Sequence, residues 1–209
     1  MALSTYPMSA ARTHVLDNLS PERAKHSLAV AEEMGRVAKQ YGLDKNQAAF
    51  AGLMHDIGKE LPFANMVELV RAHDPVWWRD LPENCRHEIY LHDPAGAVLA
   101  KRLFPGLDAE TLSAIRGHML NDPDLPTLTR VLRVADIVRP VADYPGRQVL
   151  EHLLHAGELN MANLVLDAFS YRYFTQAGLP IWPTLLEHHA ELKRRLGPIP
   201  DSIAALLKN

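Results

Sequence analysis

Apolar and polar positions follow a helical period along nearly the whole chain. In "LSPERAKHSLAVAEEMGRVAKQYG", His26, Val30, Met34, Val37 and Tyr41 recur at steps of four, four, three and four, which is one helical face. Ser20 stands as its N-cap, Pro21 at its first position and Gly42 as its terminator. Asp44 is placed to cap a second helix, in which Ala48, Ala51, Gly52 and His55 share a face. Pro62 opens a third in "LPFANMVELVRAH", which should stop before Asp74-Pro75. Only the second half of "VWWRDLPENCRHEIYLH" reads as helical. Asp93 is expected to cap "PAGAVLAKRLFPG", and Asp108 "AETLSAIRGHM". Another helix follows in "PTLTRVLRVADIVRP", and the last third, through "QVLEHLLHAGELNMANLVLDAFSYRYFTQAG" and "WPTLLEHHAELKRRLG", predicts three more. No alternating run predicts a strand, and there is no repeat or low-complexity linker. The expected fold is all-α, a single-domain helical bundle around one core.

Composition narrows the function classes. A chain of 209 residues with 47% hydrophobic and 22% charged residues fits one globular domain with a sizeable core. The net charge of -3 argues against a broad nucleic-acid surface, while leaving room for a local anion pocket. The single cysteine, Cys85, excludes an intramolecular disulfide. The opening "MALSTYPMSAARTH" lacks the order of a secretory signal, and no apolar run approaches membrane-spanning length. A cytoplasmic setting is expected, with no membrane and no nucleic acid as partner. The residue in excess is histidine, with eleven.

Chemistry enters where polar residues interrupt apolar stripes. His26 occupies a position where Val or Leu would be the plain choice, and His55 does the same in the second helix. Leu128, Leu132 and Asp136 lie at steps of four. A carboxylate on a core-facing stripe costs on the order of several kcal/mol unless it is paired or metal-bound. Inward His and Asp from facing helices can build a metal site inside a bundle. His92 and His118 sit at expected helix ends, completing the ordered set His26, His55-Asp56, His92, His118, Asp136. Each member also has a plain reading: a core histidine bonded to a carbonyl, or Asp136 paired with Arg133 or Arg139. His87 competes with His92, and His14, His73, His152, His155, His188 and His189 read as incidental.

The order H…HD…H…H…D resembles the HD-domain superfamily of metal-dependent phosphohydrolases, and "HDIGK" matches its core motif. Further along, "LHDPAGA", "AIRGHM", "LRVADIVRPVADYPG" and "AGLPIWPTLLE" resemble the YqeK-like branch, which carries H-G-P-x-G-A, A-I-x-x-H-T, A-D-Y-I-E-P-x-R-x-F-P-G and G-x-P-I-H-P-x-T-L-E in that order. The likeness runs from about residue 20 to about residue 190. It implies a domain over 20–195, preceded by an unassigned segment 1–19 and followed by a helical tail 196–209. It also implies a dinuclear site, with iron favoured and manganese, cobalt, zinc or magnesium as alternatives. The implied reaction is symmetrical hydrolysis of diadenosine tetraphosphate to two ADP. Carried over by position, His26, His55, Asp56 and Asp136 would hold one ion. His92 and His118 would hold the second, with Asp56 bridging. Imidazole with carboxylate suits iron or manganese, and paired ions can activate a water and hold phosphoryl oxygens in line.

Asp56 and Lys59 are the expected catalytic residues, with Lys59 neutralising charge on phosphate or standing as a solvated lysine past a helix end. Arg23, Lys59, Arg133 and Arg139 are the expected substrate contacts, a helix-end arginine being the alternative for Arg139. The chain departs from the branch at Met119, Leu120, Asn121 and Asp122, and at Ile137, Arg139, Ala142 and Trp182. These departures keep two other functions open: hydrolysis of another nucleotide or phosphate ester, and a regulatory module that binds metal or nucleotide without turnover. A second copy of the chain, as a homodimer, is left open as a partner.

Overall fold

The computed structural model of the chain describes residues 6–120, 124–139, 146–201 and 203. Asn121, Asp122, Ala142, most of the "DYPG" element and most of the tail after residue 201 lie outside the described residues. Eleven α-helices, and no strand, occur among the described residues. They are α1 (Met8–Asn18), α2 (Pro21–Val37), α3 (Lys45–Met54), α4 (Phe63–His73), α5 (Pro75–Asp80), α6 (Glu88–Leu103), α7 (Ala109–Gly117), α8 (Thr127–Val138), α9 (Arg147–Ala156), α10 (Leu159–Ala177) and α11 (Thr184–Leu196).

Local signals account for most boundaries. α2 begins on Pro21 and passes into a 3-10 turn, Ala38–Tyr41, which ends at Gly42 with φ 68, a conformation open to glycine at little cost. The Asp44 carboxylate accepts the Gln47 N–H at 2.8 Å, and the Asp108 carboxylate accepts the Thr111 N–H at 2.8 Å. Residues 8 to 18, left unassigned by sequence, form α1, which sets Ala11 and Val15 against α2 and α3.

Two local readings are corrected. Pro75–Asp80 is helical, with Asp74 capping through its side chain and Pro75 in the first turn, a signal the dense tryptophans obscured. Asp93 caps nothing: α6 starts five residues earlier, with the His87 imidazole accepting the Ile89 N–H at 3.2 Å, and runs on through Pro94. A proline inside a helix forfeits one backbone bond and crowds the turn before it. Packing outweighs that penalty here, since Tyr90, Leu91 and Ala95 are all fully buried.

α3 lies at the centre, against α1, α2, α7 and α8. Instead of one core, apolar side chains form three clusters. The first joins Val30 and Met34 of α2 to Leu128 and Leu132 of α8 and Leu150 and Leu154 of α9. The second joins α1 to Phe50, Leu53 and Ile115. The third joins Met66 and Val70 to Tyr90, Leu91 and Phe174. Buried histidines and aspartates take the inward positions of α2, α6 and α8 and of the ends of α3 and α7, which separates the clusters.

Candidate metal centre

α3 ends at Met54, so His55 and Asp56 stand just past the helix, on a turn closed by the Lys59 N–H donating to the Asp56 carbonyl at 3.0 Å. Gly58 sets the distance between this turn and α6. A Cβ there would lie 2.1 Å from the His92 carbonyl oxygen and 2.9 Å from the Gly96 nitrogen, both backbone atoms. The two glycines therefore let the backbones touch, which brings His92 over Asp56. Gly58→Ala is expected to destabilise the protein by roughly 1–3 kcal/mol through overpacking. Because His92 must move away, it should also weaken metal binding. Thermal denaturation beside a metal titration checks both.

Four imidazoles are oriented alike. The Nδ1–H of His55 donates to the Gly52 carbonyl at 2.8 Å, that of His92 to Glu88 at 3.1 Å and that of His118 to Ile115 at 2.9 Å. That of His26 donates to the Arg139 carbonyl. A carbonyl can only accept, so Nδ1 carries a proton and each Nε2 is left to take either a second proton or a metal ion. Holding one ring nitrogen in this way is how proteins orient a metal-binding histidine.

The Nε2 atoms converge on carboxylates in two sets. In one, His26 Nε2 is 2.8 Å from Asp136 Oδ1 and 3.2 Å from His55 Nε2, which is 3.4 Å from Asp136 Oδ1 and 3.3 Å from Asp56 Oδ1. In the other, His92 Nε2 and His118 Nε2 are 3.3 Å apart and lie 3.6 and 3.7 Å from Asp56 Oδ1. Donors bound about 2.1 Å from one ion sit about 3.0–3.5 Å from each other. Both sets lie within a few tenths of an ångström of that spacing, which small side-chain shifts would close around a divalent ion, and Asp56 belongs to both. All six residues are buried.

The electrostatics favour a cation among these groups. Burial favours the neutral acid at Asp56, but the His55 ring and the Lys59 ammonium hold its carboxyl well below the usual range. At Asp136 burial is outweighed by hydrogen bonds from His26 and His55, with the same result. Burial opposes charge on His118, yet Asp93 and Asp56 push it up to about 9. A proton thus takes the place that a metal would fill.

The expected substrate contacts do not gather at this centre as a group. Lys59 does reach it, with Nζ 2.9 Å from Asp56 Oδ1 and a partly exposed side chain. Arg23 pairs with Glu60 at 3.4 Å on the surface. Arg139 pairs with Glu33 and Glu151, at 2.7 and 2.8 Å, and presents its carbonyl to His26. Arg133 is buried, donating to Asn163 at 2.7 Å and Asp167 at 3.0 Å. It is therefore directed into α10, because a buried guanidinium needs its own carboxylate. Asp136 bonds His26, not either arginine named as its alternative partner. Trp182 stacks on Trp77 with ring centres 6.1 Å apart and packs against Tyr90.

Two buried groups escaped sequence reading. Asp93 enters the second set, with Oδ1 2.9 Å from His92 Nε2. Its signal was a carboxylate where the pattern quoted above has glycine. His188, which looked incidental in a charged helix, is buried and 2.7 Å from Asp167 Oδ2.

Comparison with known proteins agrees with this geometry. The HD domain family matches residues 23–140. The symmetrical bis(5'-nucleosyl)-tetraphosphatase of Bacillus subtilis is 25% identical over 178 residues, covering 81% of this chain and 88% of its own. The protein of that name from Halalkalibacterium halodurans is 26% identical, covering 85% and 92%. A crystal structure from Clostridium acetobutylicum, described as a predicted HD superfamily hydrolase involved in NAD metabolism, superposes with a TM-score of 0.81 at 27% identity. It covers 92% of this chain and 100% of its own. The matched residues span more than half of the chain and hold all four oriented histidines and their carboxylates, and the chain belongs to the HD-domain family.

Proposed function

We propose that this HD-family phosphohydrolase cleaves a dinucleoside tetraphosphate symmetrically, diadenosine tetraphosphate and water giving two ADP. The single observation that carries the reading is the pair of donor sets sharing Asp56, with every imidazole locked through Nδ1. In this reading His26, His55, Asp56 and Asp136 hold one divalent ion, and His92, His118 and Asp56 the second. Bound there, the ions supply Lewis acidity that activates a water and neutralises phosphate charge. Iron is favoured by the imidazole and carboxylate donors without thiolate, with manganese, cobalt, zinc and magnesium as alternatives. The names of the two tetraphosphatase relatives support the substrate.

The chain's own residues do the rest. Asp56 spans the two sets and fixes their separation. Lys59, beside Asp56 with its side chain partly exposed, meets negative charge as the bond between the two central phosphates breaks and one ADP leaves. The Arg139 carbonyl keeps His26 turned inward. No helix among the described residues is long and apolar enough to cross a membrane. A cytoplasmic setting, suggested by the lone buried Cys85, goes with this reading.

A second reading keeps the metals and takes a smaller nucleotide or phosphate ester. It is favoured by Arg133 and Arg139, whose guanidinium groups pair within the protein and leave a tetraphosphate fewer cations. Product analysis separates the readings. Iron- or manganese-loaded protein incubated with diadenosine tetraphosphate should give ADP as sole product. Asp56→Ala should lower the rate by roughly 10³-fold or more, as expected for losing metal-based stabilisation of several kcal/mol. Metal-loaded wild type without turnover would overturn this substrate and direct the search to phosphate esters. Tight nucleotide binding without turnover would instead mark a regulatory module.

A further inference from the structure

Asp93 is 1% exposed, on a turn of α6 that faces the metal centre. A buried carboxylate requires compensation for each oxygen. Its Oδ2 accepts the Met119 N–H at 2.8 Å, a bond that an uncharged amide oxygen could also accept. Its Oδ1 has no hydrogen bond. That oxygen lies 2.9 Å from His92 Nε2 and 3.4 Å from His118 Nε2. Both rings donate through Nδ1 to backbone carbonyls, so each turns its metal-binding Nε2 toward Asp93. Two imidazole nitrogens and a carboxylate oxygen this close repel one another unless a proton or a metal ion lies among them.

We infer that Asp93 Oδ1 is a fourth protein donor to the second divalent ion, beside His92 Nε2, His118 Nε2 and Asp56 Oδ1. The separations from Oδ1, 2.9 and 3.4 Å, lie at or close to the range of about 3.0–3.5 Å expected between donors on one ion. The second set then holds two imidazoles and two carboxylates, as the first does with His26, His55, Asp136 and Asp56. Two consequences follow. The second ion is retained more tightly, because the site gains a full negative charge. One fewer coordination position is left to solvent or phosphate oxygen, so the grip on substrate through that ion is weaker. The added hard oxygen donor favours manganese or ferrous ions over softer competitors.

The inference rests on the dinuclear reading above, and one titration tests them separately. Metal-free wild type, Asp93→Asn and Asp93→Gly are titrated anaerobically with Co²⁺, followed by visible absorption and by counting bound metal. Asparagine keeps the acceptor for Met119 but removes the charge, and glycine removes the side chain. Wild type should bind two ions. Both variants should bind the second ion at least about 10-fold more weakly, with a changed cobalt spectrum, and the first ion with unaltered affinity. If wild type binds two and both variants match it in affinity and spectrum, Asp93 only anchors Met119 and the inference is overturned. If wild type binds a single ion, the dinuclear reading fails and the inference with it. Circular dichroism of the metal-free proteins identifies a variant that has not folded, and the other variant then decides.

Discussion

Stripping divalent ions from the protein is expected to lower its melting temperature by roughly 5–15 °C. Three aspartates, Asp56, Asp93 and Asp136, are buried at 2%, 1% and 7% exposure, and four histidines turn their Nε2 atoms toward them. Lys59 is the one lysine or arginine in contact with these carboxylates among the described residues. A ligand present at about 100 to 1,000 times its dissociation constant stabilises the folded state by about 2.7–4.1 kcal/mol. For a chain of this size each kcal/mol moves the midpoint by about 2–4 °C. Protons soften the loss without cancelling it, since His118, pushed up to about 9, is charged in the metal-free protein at neutral pH. The check is thermal denaturation of chelated, manganese-loaded and iron-loaded protein. Equal midpoints would mean that the cluster is a closed hydrogen-bonded core, and the metal-centre reading would fall.

How far the sequence reaches depends on whether a residue's role is set by its neighbours in the chain. α2, α3 and α4 were legible because caps and stripes agreed: Asp44 and Pro21 stand where local chemistry needs them, and Val30, Met34 and Val37 fall on one buried face. His26 and Asp136 were legible for the opposite reason, since each breaks an apolar stripe at a cost that demands a partner. Asp93 was hidden by its successor. Asp followed by Pro is the local signature of a helix start, and only the burial of Tyr90 and Leu91 carries the helix across it. The pairings of Arg133 and Arg139 were not legible because their partners are remote in sequence, Asp167 at 34 positions and Glu33 at 106. Gly58 shows the same limit. The motif marks it, but its reason, a backbone contact with α6, exists only in three dimensions.

Asp167→Ala is expected to destabilise the protein by about 3–5 kcal/mol, the effect of leaving a buried charge without its partner. Asp167 is fully buried in α10, between the Arg133 guanidinium of α8 at 3.0 Å and the His188 ring of α11 at 2.7 Å. Arg133 is itself buried, and its other bond goes to Asn163, which is neutral. Alanine therefore strands a guanidinium in the core and releases the contact that seats α11. At about 2–4 °C per kcal/mol the midpoint should fall by roughly 6–20 °C. The pH dependence has a definite sign. Burial alone would raise the Asp167 pKa, but His188 and Arg133 lower it below the usual value. A lowered folded pKa gives stability that is complete above the unfolded value of about 3.9 and lost as pH falls through the folded one. The gap between wild type and Asp167→Ala should therefore be constant near neutrality and narrow only in strong acid. The double replacement Arg133→Met with Asp167→Leu should recover most of the loss, because a packed apolar pair does without the desolvation of two charges. It also decides what Arg133 is for. A purely internal arginine predicts that the double variant, once folded and metal-loaded, keeps the wild-type KM for its phosphate substrate. A rise in KM with stability recovered would show that Arg133 reaches the substrate after all, and that its pairing with Asp167 must open for it to do so.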